Sequence, residues 1–145
     1  MQYNKAFSDL HESARDMGEA NDCAVKAIAV AGGIGYAEAH ALLRRHGRID
    51  RKGTYTPSID AALEELGIEQ REVTPTMRAS GGRTVRTLVR LLRGRRETVQ
   101  AVVGTETFLV YTRGHVLTVK DGQCVDWTDG RLHRVRRVMA LHASR

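Results

Sequence analysis

Long apolar runs are missing from this sequence. No stretch approaches the length needed to span a bilayer, and Met1 to Leu10 holds no apolar segment of the signal-peptide kind. The expectation is a cytoplasmic protein with no membrane partner. Cysteine is nearly missing too: Cys23 and Cys124 lie far apart with no close metal-type pair, which argues against a disulfide framework and a zinc ribbon. A metal centre assembled from Cys23, Cys124, His115 and Asp126 would draw on unusually scattered ligands, so neither a metal nor another cofactor is expected. The chain also lacks an internal repeat, a low-complexity tract and a linker. That leaves a single domain over residues 1–145, with residues 1–20 as an N-terminal arm. With 41% hydrophobic and 28% charged residues, a chain of this length can bury a core without covalent staples.

Acidic residues are absent from one whole tract. Between residues 78 and 96 stand Arg78, Arg83, Arg86, Arg90, Arg93, Arg95 and Arg96 with no aspartate or glutamate, and the C-terminal stretch adds Arg131, Arg134, Arg136, Arg137 and Arg145. Residues 1–22 are the reverse, with Lys5 and Arg15 against Asp9, Glu12, Asp16, Glu19 and Asp22. The net charge of +6 is therefore two basic tracts set against an acidic arm. Arg83, Arg86, Arg90 and Arg93 fall on one side of an expected helix whose other side carries Val85, Leu88, Val89 and Leu92. Such a stripe is either a solvated face or a contact surface for nucleic acid or an acidic partner.

What is present is organised around Ala20 to Gly33. Asn21 or Asp22 can cap a helix, Ala24, Val25, Ala27, Ile28, Ala29 and Ala31 follow at helical spacing, and Gly32-Gly33 supplies a left-handed stop. Cys23 then lies on the first turn, where unpaired N–H groups and the positive dipole end favour a thiolate and can hold an oxyanion. The competing reading is a buried cysteine acting as a small hydrophobe. Downstream, helices are expected over 35–47 and from Pro57 to Gly67, then a strand over 68–73, a polar connection over 74–82 and a helix over 83–93 stopped by Gly94. From Thr98 the pattern turns β-rich, with runs at 98–103, 108–112, 115–120, 123–127 and 134–141. Helices first and an antiparallel sheet last define an α+β fold.

Asp121-Gly122 between two of these runs is a two-residue hairpin signal, and it sets a register. With Lys120 opposite Gln123, Leu117 faces Asp126 and His115 faces Thr128. His115 and Asp126 are then diagonal neighbours on one side of the ribbon, within reach of a hydrogen bond. A surface ion pair is the plain interpretation. The chemical one is an imidazole, oriented by a carboxylate, that takes the proton of a thiol nucleophile.

The order of parts is a cysteine on an early helix, then a histidine on a strand, then an aspartate one strand later. In this the chain resembles the papain-like cysteine hydrolases, within them the families related to bacteriocin-processing peptidases and transglutaminase-like proteins, and especially small phage-encoded members. Asn21-Asp22-Cys23 and Gly114 to Trp127 carry the resemblance, which covers Asn21 to Val138 in order of elements. It implies a papain-like fold with the cysteine helix packed on the C-terminal sheet. Cys23 would be the nucleophile, His115 the general base and acid, and Asp126 the orienting residue. The implied substrate is a peptide or protein, opened at a peptide or isopeptide bond through an acyl-enzyme, with transglutaminase-type transfer to an amine as the alternative outcome. Papain-like peptidases usually carry a glutamine several residues before the cysteine as oxyanion donor. Met17 stands six residues before Cys23 here, and Asn21 together with the Cys23 backbone N–H is the candidate replacement. The competing function is a non-catalytic phage protein that binds a host protein or nucleic acid through its arginine-rich surfaces.

Overall fold

The computed structural model of the chain describes residues 5–143. In chain order its elements are α1 (Lys5–Asp16), α2 (Cys23–Gly32), α3 (Tyr36–Arg45), α4 (Thr56–Glu65), β1 (Ile68–Glu72), α5 (Thr74–Ala79), α6 (Val85–Gly94), α7 (Arg96–Val103), β2 (Thr107–Thr112), β3 (His115–Lys120), β4 (Gln123–Cys124) and β5 (Arg137–Ala143). The strands form one antiparallel sheet in the order β1-β5-β2-β3-β4. The fold is α+β.

Strand side chains alternate between two faces, and here both faces are buried. Leu109, Val116, Met139 and Leu141 join a cluster with Val25, Ile28, Leu42, Leu43, Ile59 and Leu63 from α2, α3 and α4. Phe108, Val110, Leu117, Val119, Val138 and Ala140 join a second cluster with Met77, Leu88, Val89, Leu92, Val99 and Val103 from α5, α6 and α7. Because helices cover both sides, the inner strands β5, β2 and β3 read as largely apolar runs, which is uncommon for an antiparallel sheet, whereas edge strand β1, Ile68-Glu69-Gln70-Arg71-Glu72, is mostly exposed. No helix among the described residues is long and apolar enough to cross a membrane.

Three expectations need correction. Residues 98–103 lie in helix α7, where Val99 and Val103 are buried one turn apart and Val102 points outward at 68% exposure. Burial at i,i+4 therefore outweighs the β propensity of threonine and valine. Residues 74–79, expected as a connection, form α5, with a proline in its first turn and Met77 buried beneath it. The runs at 123–127 and 134–141 yield a two-residue β4 and a β5 shifted to Arg137–Ala143, while Arg134 makes an isolated bridge to Thr84. Within the expected arm, residues 5–16 form α1, with Phe7 and Ala14 buried and Leu10 against the first cluster. Residues 1–4 and Arg145 lie outside the described residues.

Candidate active site

Helix α2 begins at Cys23 with Asp22 at the cap position, and Gly33 closes it at φ 64. Asp22 does not cap with its side chain. Its carboxylate accepts the Tyr36 hydroxyl at 2.8 Å and pairs with Lys26 at 3.4 Å, so the first-turn amides are left without a side-chain acceptor. Thr118 Oγ1 donates to the Ala27 carbonyl at 2.8 Å, and Lys120 Nζ to the Val30 carbonyl at 3.4 Å. Ascending β3 thus tracks ascending α2, and the N-terminal ends of the two elements, Cys23 and His115, arrive at the same place.

The Asp121-Gly122 turn forms as expected, with φ of 53 and 76, and pairs Lys120 with Gln123 and Val119 with Cys124. A last rung runs from Val125 N to Thr118 O at 3.1 Å. There the ladder stops, so the anticipated facing pairs Leu117/Asp126 and His115/Thr128 do not form as ladder partners. Asp126 instead opens a turn in which its Oδ2 accepts both Thr128 N at 3.1 Å and Thr128 Oγ1 at 2.6 Å. The same oxygen accepts His115 Nε2 at 2.8 Å, with the Asp126 side chain 4% exposed and that of His115 13%. Leaving the ladder lets the carboxylate turn toward the imidazole. Thr128 then holds it there.

With Nε2 committed to Asp126, Nδ1 is the nitrogen left for the Cys23 thiol, which lines the same cleft. Burial favours the neutral imidazole, but the bonds to Asp126 and Cys23 and the charges behind them outweigh it and raise the His115 pKa to about 9. Trp127 covers the ring from one side, with centroids 5.3 Å apart. Asn21, Asp22, Cys23, Lys26, Gly53, Gly114, His115, Asp126 and Trp127 line a cleft of about 370 Å³ around these groups. A larger cavity of about 540 Å³ lies against α1 and the 33–36 turn and holds neither Cys23 nor His115. It brings together no nucleophile–base pair, so the smaller cleft is the candidate site.

The loop entering Cys23 is clamped from below. Glu19 takes Arg48 at 2.9 and 3.3 Å, His40 Nε2 at 2.6 Å and the Arg51 backbone N–H at 3.0 Å, and Arg48 also reaches the Ala20 carbonyl. Burial alone would raise the Glu19 pKa, yet these donors bring it down to about 2. Glu19, His40 and Asp50 present donor atoms within 4.8 Å of one another, the spacing of a metal site. The Arg48 guanidinium already fills the cation's place against Glu19, with its own side chain only 1% exposed. The clamp is accordingly a support. It is not legible in the sequence, since nothing local links Glu19 to Arg48.

Asn21 stands at the cleft with a left-handed φ of 52, one amide hydrogen directed to the Arg51 carbonyl at 3.2 Å. Met17 is 45% exposed after α1 and is not among the residues lining the cleft. Cys124 is 2% exposed in the second apolar cluster, away from the cleft. The hairpin pattern places Thr128 only as a rung opposite His115; its spacing two residues after an aspartate is the signal that points to its role. Arg83, Arg86, Arg90 and Arg93 lie exposed along or just before α6, but Arg93 Nε donates to the Gly122 carbonyl at 2.9 Å and so braces the hairpin turn. Comparison of the chain with protein-family models, with curated proteins and with solved structures finds no match.

Proposed function

We propose that this protein is a cysteine hydrolase of papain-like fold and chemistry that opens a peptide or isopeptide bond through an acyl-enzyme. One observation carries the reading: Cys23, His115 and Asp126, from a helix, a strand and a turn, converge on one cleft in the order nucleophile, base, orienting carboxylate. In this mechanism His115 takes the Cys23 proton, and the sulfur adds to the substrate carbonyl. The resulting oxyanion is met by the Cys23 N–H at the helix start and by the second Asn21 amide hydrogen. His115 then protonates the leaving amine as the C–N bond breaks, which leaves a thioester on Cys23. Water, deprotonated by His115, adds to the thioester carbonyl, and the C–S bond breaks to release the acid. Asp126 keeps its charge throughout and stabilises the imidazolium.

The test is acyl-enzyme formation. Mixed with an activated acyl ester, the wild-type chain should show a burst of alcohol release matching the enzyme concentration and gain the acyl mass on Cys23. Cys23→Ala should abolish both. A burst that survives in Cys23→Ala contradicts the assignment.

A further inference from the structure

Two basic tracts that lie well apart in the sequence meet on one surface. Residues 131–135 run beside the start of α6, with Arg86 N donating to Arg131 O at 3.0 Å, Val85 N to His133 O at 3.0 Å and Val135 N to Arg83 O at 2.9 Å. The Arg78 guanidinium reaches the Val135 and Arg136 carbonyls at 3.2 and 3.3 Å. Arg78, Arg83, Arg134 and Arg136 therefore surround a hollow of about 270 Å³ whose only other lining residue is Val135. Exposed Arg86, Arg90 and Arg131 extend the face. None of these seven arginines belongs to an ion pair among the described residues. A cluster of like charges with no internal counter-charge projects a strong positive field, and its guanidinium forks match carboxylate oxygens.

The face begins at the rim of the cleft. His133, between Arg131 and Arg134, meets Trp127 edge-on at 5.3 Å, and Trp127 in turn covers His115 at 5.3 Å. The large apolar side chains exposed anywhere on the described chain are Met17, Ile49, Tyr55, Val102 and Leu132. Leu132 alone of these stands among the arginines, so the surface offers an aliphatic contact beside its charges, and its exposed ring, His133, is engaged edge-on by Trp127 and does not stand in a row of stacking platforms. The hollow is also a local depression ringed by four arginines, not a groove that tracks a phosphate backbone.

We propose that this arginine face docks an acidic segment of the polypeptide substrate. Carboxylates occupy the hollow of Arg78, Arg83, Arg134 and Arg136, and the chain passes His133 and Trp127 to reach Cys23. The proposal rests on the hydrolase reading for the chemistry after docking; the docking step itself needs no reactive thiol.

The experiment measures fluorescence anisotropy of a labelled peptide of about ten residues, rich in glutamate with interspersed leucine, on the full chain at low salt. Arg83→Gln, Arg134→Gln and Arg136→Gln combined should weaken binding by at least about tenfold and flatten its salt dependence. Arg78 is kept because it holds the 135–136 backbone. A control with the same charge change on exposed residues elsewhere, Arg15→Gln, Arg44→Gln and Lys52→Gln, should bind within about twofold of wild type. Saturating peptide should also slow iodoacetamide alkylation of Cys23 several-fold. Equal weakening in both triple variants, tighter binding of a DNA oligonucleotide than of the peptide, or alkylation unaffected by bound peptide would each overturn the proposal. Slow alkylation of Cys23 without peptide counts against the hydrolase reading instead, and the comparison of the two triple variants still decides the docking face.

Discussion

Cys23 and Cys124 are the same side chain in two surroundings, and almost everything proposed for this protein lies in the difference. Cys23 is half-buried on the first turn of α2, in a cleft that His115 also lines. Cys124 lies opposite Val119 in an apolar cluster, where burial first and the charges of Asp126 and Asp129 next push its thiol pKa up. One sulfur has a proton acceptor and a route to solvent. The other is held neutral and packed.

The sharpest way to strain this comparison, after removal of Cys23 itself, is to weaken the base and leave both thiols in place. Asp126→Asn keeps the shape of the turn and its bonds from Thr128 but removes the charge that stabilises the His115 imidazolium. Turnover of an acyl substrate should fall by roughly 10³ to 10⁴, the range for an orienting carboxylate, while the far-UV circular dichroism of the variant matches wild type. Loss of the fold with normal activity in the remaining folded fraction would make Asp126 a structural acid.

A smaller effect comes from the His115 pKa, which is raised from 6.5 to about 9. A group whose pKa is higher in the folded state stabilises it fully below the unfolded value, and that contribution fades as pH rises through the folded value. Denaturant unfolding of wild type should therefore show stability falling between about pH 6.5 and 9, by up to about 3 kcal/mol. His115→Gln should lack this slope. Cys124 has the same sign but starts from 9.0, so its share of the loss begins only where the His115 window closes. A slope unchanged in His115→Gln would show that another group titrates there.

The smallest expected effect is Cys124→Ala. Removing one sulfur from a packed cluster should cost about 1 kcal/mol in unfolding free energy and leave turnover nearly unchanged. A loss of activity beyond about tenfold, with stability intact, would put Cys124 in the chemistry and erase the distinction between the two thiols.

Much of the site is legible in the sequence because its determinants are local. Gly33 and the alanine-rich run fix α2, and the Asp121-Gly122 turn fixes the start of the β3-β4 pairing at Lys120/Gln123. The expected register fails from Asp126 onward because Thr128, not a strand partner, claims the carboxylate. The helical state of 98–103 is hidden by valines whose strand preference is overruled by packing of Val99 and Val103 under the sheet. Contacts between distant residues leave no trace in a single sequence. The Glu19–Arg48–His40 clamp and the meeting of Arg83 with Arg134 and Arg136 both belong to that class, since each depends on how loops are brought together after the elements have packed.

The most direct measurement is iodoacetamide alkylation of the native wild-type chain at about pH 6, followed by mapping of the modified cysteine. The account predicts rapid formation of a single adduct on Cys23, with Cys124 labelled only after unfolding and the rate strongly reduced in His115→Gln. Slow and equal labelling of both cysteines, or a Cys23 rate indifferent to His115, would contradict it.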